Sequence, residues 1–199
     1  MTTVEPRVKI ENVVASATLR HGIDLQAVVK AFPEVEYRPD EFPGLVFRMK
    51  KPKTATLIFG SGKMVCTGAT SEKEARRAIN AVVTRLRKAG IIIVGRQEVK
   101  VQNVVASASL NGWVDLLGLY EVEMGMRGRI LYEPEQFPGL IYRMEEPKVV
   151  LLLFASGKLV CTGARREEEV YEAVHKLHKR LEEKGQIHYT YENSRHLET

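Results

Sequence analysis

Cysteine occurs twice in this chain and tryptophan once. Two thiols exclude a disulfide-stapled fold, which needs several bridges in a short chain. Cys66 and Cys161 occupy matching places in two copies of a repeat. A bond between them would need those two places to meet, so they are read as small buried residues in a reducing compartment. No apolar run approaches the roughly 20 residues of a membrane helix. The opening MTTVEPRVKIENVV lacks the basic start and long apolar block of a secretion signal. A soluble, cytoplasmic protein with no membrane partner is expected. The stretch GSGKMVC lacks the GxxxxGK[ST] spacing of a phosphate loop, which excludes nucleotide binding. His175 and His178 lie one helical turn apart with no further ligand cluster, so a solvated helix face is expected and no metal. No Ser/His/Asp set or carboxylate pair stands out. The expectation is no enzyme, no cofactor and no small-molecule substrate.

What the chain does have is 44% hydrophobic residues, enough for a packed core, and a net charge of +5 with pI near 9.2. A basic balance suits an anionic partner such as nucleic acid. The charge is unevenly spread. Residues 1–95 carry 16 Lys/Arg against 9 Asp/Glu, whereas residues 96–199 carry 14 against 16.

The chain also repeats itself. VKIENVVASATL from Val8 returns as VKVQNVVASASL from Val99, and EFPGLVFRMKKPKTATLIFGSGKMVCTGA returns as QFPGLIYRMEEPKVVLLLFASGKLVCTGA. Asn12 and Asn103 are 91 positions apart while Phe42 and Phe137 are 95 apart, so the second copy carries four extra residues near EMGMRGRI. Two long copies do not make a solenoid. A fused pseudo-dimer is the simpler reading. Its parts are expected at 1–95 and 96–185, with a C-terminal tail at 186–199.

Each copy reads as strand, short helix, several strands, long helix. Asp24 suits the N-cap of DLQAVVKAF. Turn-like KKPK and GSG separate short strands, which predicts antiparallel hairpins. Ser71 with Glu74 forms a capping box, Gly90 a stop, and Ala75, Ile79, Val82, Val83 and Leu86 one apolar stripe. The second long helix repeats the stripe through Val170, Val174, Leu177 and Leu181. The fold class is α+β, an antiparallel sheet with helices on one face.

The strands are apolar on both faces. In VVLLLF, alternation puts Val150, Leu152 and Phe154 on one side and Leu151 and Leu153 on the other. The helices cover one face of a sheet of about ten strands. The other carries Val14, Leu57, Phe59 and Val65, matched by Val105, Leu152, Phe154 and Val160. Such a face fits dimerisation, a hydrophobic ligand or a binding platform. Its polar residues come in matched pairs: Asn12 with Asn103 and Thr67 with Thr162, rimmed by Arg48, Lys63, Arg143 and Lys158. An apolar floor, a few central Asn/Thr and a basic rim suit the DNA minor groove, where sugars are apolar and phosphates line both sides.

At these residues the chain resembles the TATA-binding protein family of core transcription-initiation factors, over about residues 7–185. The doubled QN-V, EPE-FPGLIYRM and LLLF-SGKLVCTGA motifs carry the resemblance, and the short N-terminus is similar to archaeal members. The resemblance implies a saddle-shaped, pseudo-two-fold antiparallel sheet of ten strands with four helices on the convex side. The concave side sits on double-stranded DNA at a TATA box. That family is a standing example of minor-groove bending, so the mechanism comes with the resemblance. By position, Phe42, Phe59, Phe137 and Phe154 would be the wedges that kink the DNA. Asn12, Val14, Leu57, Val65, Thr67, Asn103, Val105, Val150, Leu152, Val160 and Thr162 would line the minor groove. Arg48, Lys63, Arg143 and Lys158 are expected at phosphates. Pro43 and Gly44, like Pro138 and Gly139, are read as a stiffener and a tight turn after each first ring. The family also implies transcription factor B as a partner, meeting the loop with Glu133, Glu135 and Gln136, and then the RNA polymerase pre-initiation complex. The first copy departs from the eukaryotic pattern at Asp40 and Glu41.

Overall fold

The structure is a computed structural model that describes residues 4–123 and 129–189. Its elements run β1 (Arg7–Thr18), α1 (Leu25–Ala31), β2 (Gly44–Lys50), β3 (Lys53–Phe59), β4 (Lys63–Ala69) and α2 (Glu72–Lys88). They continue with β5 (Val99–Ser109), β6 (Trp113–Val114), α3 (Leu116–Glu123), β7 (Ile130–Leu131), β8 (Leu140–Met144) and β9 (Val149–Leu153). β10 (Lys158–Ala164), α4 (Glu167–Glu183) and β11 (Ile187–His188) complete them. The chain divides into two compact units, Glu11–Asn103 and Met1–Ile10 with Val104–Thr199, called here the first and second units.

In the first unit the strand order is β2-β3-β4-β1, with β2-β3 and β3-β4 as antiparallel hairpins and β1 paired antiparallel to β4. Short turns make this order the cheapest way to pair sequential strands. Asp24 caps α1, its carboxylate accepting from the Gln26 and Ala27 N–H groups at 2.9 and 3.1 Å. Ser71 caps α2 by accepting from Glu74 N–H at 3.0 Å, and the Glu74 carboxylate reaches back to Thr70 N–H. Such caps satisfy donors that have no partner inside a helix. The helix stops at Gly90, whose φ of +83° only glycine adopts cheaply. Gly90 N–H then bonds Arg87 O, and Ile91 N–H bonds Leu86 O. The predicted stripe of α2, joined by Ala78, is buried. Val82, Val83 and Leu86 share one core with Leu45, Phe47, Ile58 and Met64. Each large aliphatic residue there contributes about 1.5–3 kcal/mol.

In the second unit the order is β5-β10-β9-β8-β7, with β6 and β11 as a separate antiparallel pair. The described residues thus hold eleven strands, nine in the main ladders, against an expectation of about ten. The extra pair includes Ile187 and His188, from the stretch read as a tail. The four-residue insertion near EMGMRGRI falls largely on 124–128, outside the described residues, as do 190–199. The stripe Val170, Val174, Leu177 and Leu181 is buried. Both thiols are buried. Burial pushes Cys161 up to about 12 and Cys66 in the same direction, so neither is a reactive nucleophile at neutral pH.

One sequence expectation fails here. His178 does not lie on a solvated face: it is buried, and its Nε2 meets the Tyr189 hydroxyl at 2.7 Å. The Tyr189 hydroxyl in turn donates to Glu182 Oε1 at 2.8 Å. Desolvation lowers the His178 pKa. The helical spacing was visible, but the residue that meets this histidine, Tyr189, lay in the supposed tail.

Candidate nucleic-acid interface

Strand alternation decides which side chains each unit leaves open. In the first unit Val13, Ala15, Ile58, Met64 and Cys66 are buried beneath the helices. Their neighbours Asn12, Val14, Leu57, Phe59, Val65 and Thr67 lie half-buried on the opposite face. In the second unit Val104, Ala106, Leu151, Leu153 and Cys161 are buried, and Val105, Val150, Leu152, Phe154, Val160 and Thr162 are half-buried; Asn103, the last residue of the first unit, is half-buried too. Asn103 aside, the structure therefore gathers the sequence-derived residues of each copy on one face of its unit. Val46 and Ile141 belong with them and were missed, being paired directly opposite Leu57 and Leu152. The same two-residue alternation, carried one strand further along GLVFRM and LIYRM, would have found both.

Each open face ends in a pair of aromatic rings. Phe42 and Phe59 meet edge to face with centroids 5.8 Å apart, and Phe137 and Phe154 do the same at 5.8 Å. The first ring of each pair remains 41% and 38% exposed, a large apolar group left in water. A backbone turn presents it: Phe42 N–H bonds Arg38 O at 2.9 Å, and Phe137 N–H bonds Glu133 O at 3.0 Å. Gly44 and Gly139 seat the rings. A Cβ on Gly44 would stand 2.5 Å from Phe42 Cε1 and 3.0 Å from Phe59 Cε1; on Gly139 the distances are 2.7 Å to Phe137 and 3.1 Å to Phe154. Neither glycine has positive φ. They are there to make room, which replaces the tight-turn role read from the sequence.

The polar pair at the centre has a backbone cause. The β1–β4 register slips between Val13 and Ala15, and Gly68 takes φ +96° at that irregularity. Gly68 N–H donates to Asn12 Oδ1 at 2.8 Å, and Asn12 Nδ2 donates to Thr67 Oγ1 at 3.1 Å. The Gly68 bond fixes which end of the amide is which. Asn12 Oδ1 is occupied, and Nδ2 keeps its second hydrogen for another acceptor. The second unit repeats the slip between Cys161 and Ala164, with Gly163 at φ +98°.

Cations flank these faces. Lys63 and Lys158 are exposed at the starts of β4 and β10, in line with Val65 and Val160. Arg48 and Arg143 are exposed within β2 and β8, opposite Ala55 and Val150. Arg48 Nε donates to Glu36 Oε1 at 2.8 Å. That bond, and then the charge behind it, lowers the Glu36 pKa and raises that of Arg48. In the second unit a cleft of about 430 Å³ runs between Phe154, Lys158, Val160, Ser107, Arg7 and Lys9. Glu133, Glu135 and Gln136 are exposed just ahead of Phe137.

A repeated α+β unit with one helix-covered face and one open, apolar, cation-flanked face has the build of a DNA-binding module. The comparisons with known proteins specify it further. The family described as transcription factor TFIID, or TATA-binding protein, matches residues 7–89 and again 98–184. A TATA-box-binding protein from Pyrodictium occultum is 52% identical over 178 residues, 89% of this chain and 87% of that protein. One from Methanothermobacter thermautotrophicus is 52% identical over 92% of this chain and 98% of its own. The solved structure of Methanococcus jannaschii TBP superposes with a TM-score of 0.76 at 45% identity, covering 89% of this chain and 99% of that one. This chain belongs to the TATA-binding protein family, whose members are DNA-binding transcription factors and not enzymes.

Proposed function

We propose that this protein is a general transcription factor that binds the minor groove of a TATA box and kinks it with Phe42/Phe59 at one end and Phe137/Phe154 at the other. The observation that carries this reading is the exposed ring pair at the end of each open face, seated against a glycine. A phenyl ring buries roughly 150–250 Å², an upper figure of about 4–6 kcal/mol at 25 cal/mol per Å². Unstacking one base step costs a few kcal/mol. Two rings per kink are enough to offset it, and the apolar floor of Val, Leu and Ile helps to meet the remaining cost of bending.

Specificity follows from the amide clamp. Asn12 has a donor left over and no acceptor, so it suits the A N3 and T O2 acceptors of the minor groove. A guanine N2 amino group would bring a second donor against that donor and a polar bulge against the apolar floor. Lys63, Lys158 and Arg143 suit the flanking phosphates. The acidic loop of Glu133, Glu135 and Gln136 is the proposed contact for transcription factor B, which then brings RNA polymerase to the promoter.

The test is a mobility shift at fixed salt with an AT-rich box and a control whose central pairs are changed to GC, with energy transfer between end labels reporting the bend. Tight binding and a bend on the AT box only are expected. Equal affinity for both duplexes would remove the minor-groove reading.

A further inference from the structure

The two open faces match at their arginines and differ in what holds them. Val46 N–H donates to Glu36 O at 2.8 Å and Glu36 N–H to Val46 O at 3.2 Å, which places Glu36 on the open face beside Arg48. The position 95 residues on is Leu131, which stands opposite Ile141 in the same way. An isobutyl group is found there in place of a carboxylate. The other nearby carboxylate, Glu145, is taken by Arg129 at 2.8 Å. The Arg143 guanidinium has no partner among the described residues. The copy that is more basic in sequence thus has the masked arginine, and the more acidic copy has the open one.

We propose that Glu36 acts as an internal stand-in for a phosphate, so that Arg48 and Glu36 meet DNA as a neutral pair and Arg143 is the stronger of the two arginine anchors. This rests on the minor-groove reading above. Affinity for DNA rises with each net positive charge placed at a phosphate, because each releases condensed counterions. A carboxylate at hydrogen-bond distance from Arg48 cancels that charge. The side chains of the pair are 65% and 59% exposed, so water screens their attraction and Arg48 can exchange Glu36 for a phosphate readily. The exchange leaves Glu36 beside the same phosphate, and the net gain stays small. At Arg143 the phosphate replaces only water.

The experiment is the equilibrium affinity for one AT-rich box between roughly 50 and 200 mM salt. It compares wild type with Glu36→Gln, Glu36→Gln/Arg48→Gln, Arg143→Gln and Leu131→Glu. The four sites are exposed, so the fold is not at stake. Glu36→Gln tightens binding about two- to fivefold and steepens the log–log salt slope by about 0.9. Leu131→Glu and Arg143→Gln each weaken binding and flatten the slope by about 0.9. The double variant stays within about twofold of wild type, because it removes one charge of each sign. An unchanged or weaker Glu36→Gln complex, or a double variant that loses as much as Arg143→Gln, overturns the proposal while leaving TATA binding intact. A wild type that does not bind the box overturns the functional reading and this proposal with it.

Discussion

Arg85 and Arg180 stand at the same place on two 17-residue helices, 95 positions apart, and are held differently. The Arg85 guanidinium lies over the rings of Phe32 and Phe47, 5.2 and 5.0 Å from their centroids, and meets a carboxylate, Glu34, only at 3.4 Å on the exposed side. Arg180 instead grips Glu123 with two bonds of 2.6 and 2.7 Å, and Glu123 is only 3% exposed. Glu123 stands where the first copy has Phe32, and Tyr142 where it has Phe47. The repeated backbone places a long cation at the end of the first helix of each copy, where its main partner is a pair of π faces in one copy and a buried carboxylate in the other. Duplication has preserved geometry more strictly than chemistry. The charge difference between the copies is therefore partly internal. Arg76 donates to Val99 O at 2.7 Å and Arg87 to Ile93 O at 3.1 Å, so these cations of α2 are tied down as well as exposed.

The largest expected effect compares the two arginines. Arg180→Met leaves a buried carboxylate without its countercharge and should cost about 3–5 kcal/mol in chemical denaturation. Arg85→Met keeps most of the packing against the two rings and should cost about 0.5–2 kcal/mol. Equal losses would mean that the two partners are energetically interchangeable. The next comparison concerns the loops before the exposed ring pairs. If the proposed contact holds, Glu133→Arg with Glu135→Arg should weaken the ternary complex with transcription factor B on DNA by at least about tenfold, because like charges then oppose across it. Binary DNA binding should hold or tighten slightly. In the first copy the same loop has Arg38 and Asp40, with Arg38 and Glu41 paired at 3.4 Å. Asp40→Arg should leave the ternary complex unchanged. Loss of that complex from the first loop, and not from the second, would transfer the partner site to the other unit. The smallest effect is at the caps. Ser71 accepts the Glu74 N–H, while its counterpart Arg166 has no acceptor to offer, and Glu169 alone reaches back to the Arg165 and Arg166 N–H groups at 2.8 and 3.3 Å. Ser71→Ala should lose about 1 kcal/mol and Arg166→Ser should gain about 0.5–1 kcal/mol, read from the shift in Tm. No gain at Arg166 would show that the Glu169 half of the cap suffices.

Much of this architecture is legible in the sequence, because the repeat supplies each pattern twice. Alternation in TATLIF and VVLLLF separates Leu57 and Leu152 from Ile58 and Leu153 with no knowledge of the fold. The capping pattern at Ser71 and the glycine stop at Gly90 identify α2 from residues close in sequence. What stays hidden depends on register between distant segments. Glu36 looks like any loop glutamate until a bridge to Val46 brings it to Arg48. The place of Gly44 opposite Phe59 follows from the β2–β3 pairing. The contact between Glu123 and Arg180 spans 57 residues. The partner of His178 is Tyr189, just past β11, whose two residues carry no strand pattern of their own.

Gly44 and Gly139 have a further consequence at the level of the genetic code. Any single-nucleotide change that replaces glycine by another amino acid introduces a side chain with a Cβ. At these two positions that carbon runs into a phenyl ring, so a one-step replacement displaces the first ring of the pair from its seat. Neighbouring floor positions tolerate a neutral walk, as the exchanges of Val46 for Ile141 and Ala55 for Val150 between the copies illustrate. The two glycines have no such path. Over long lineages they should stay fixed while the valines and isoleucines around them drift.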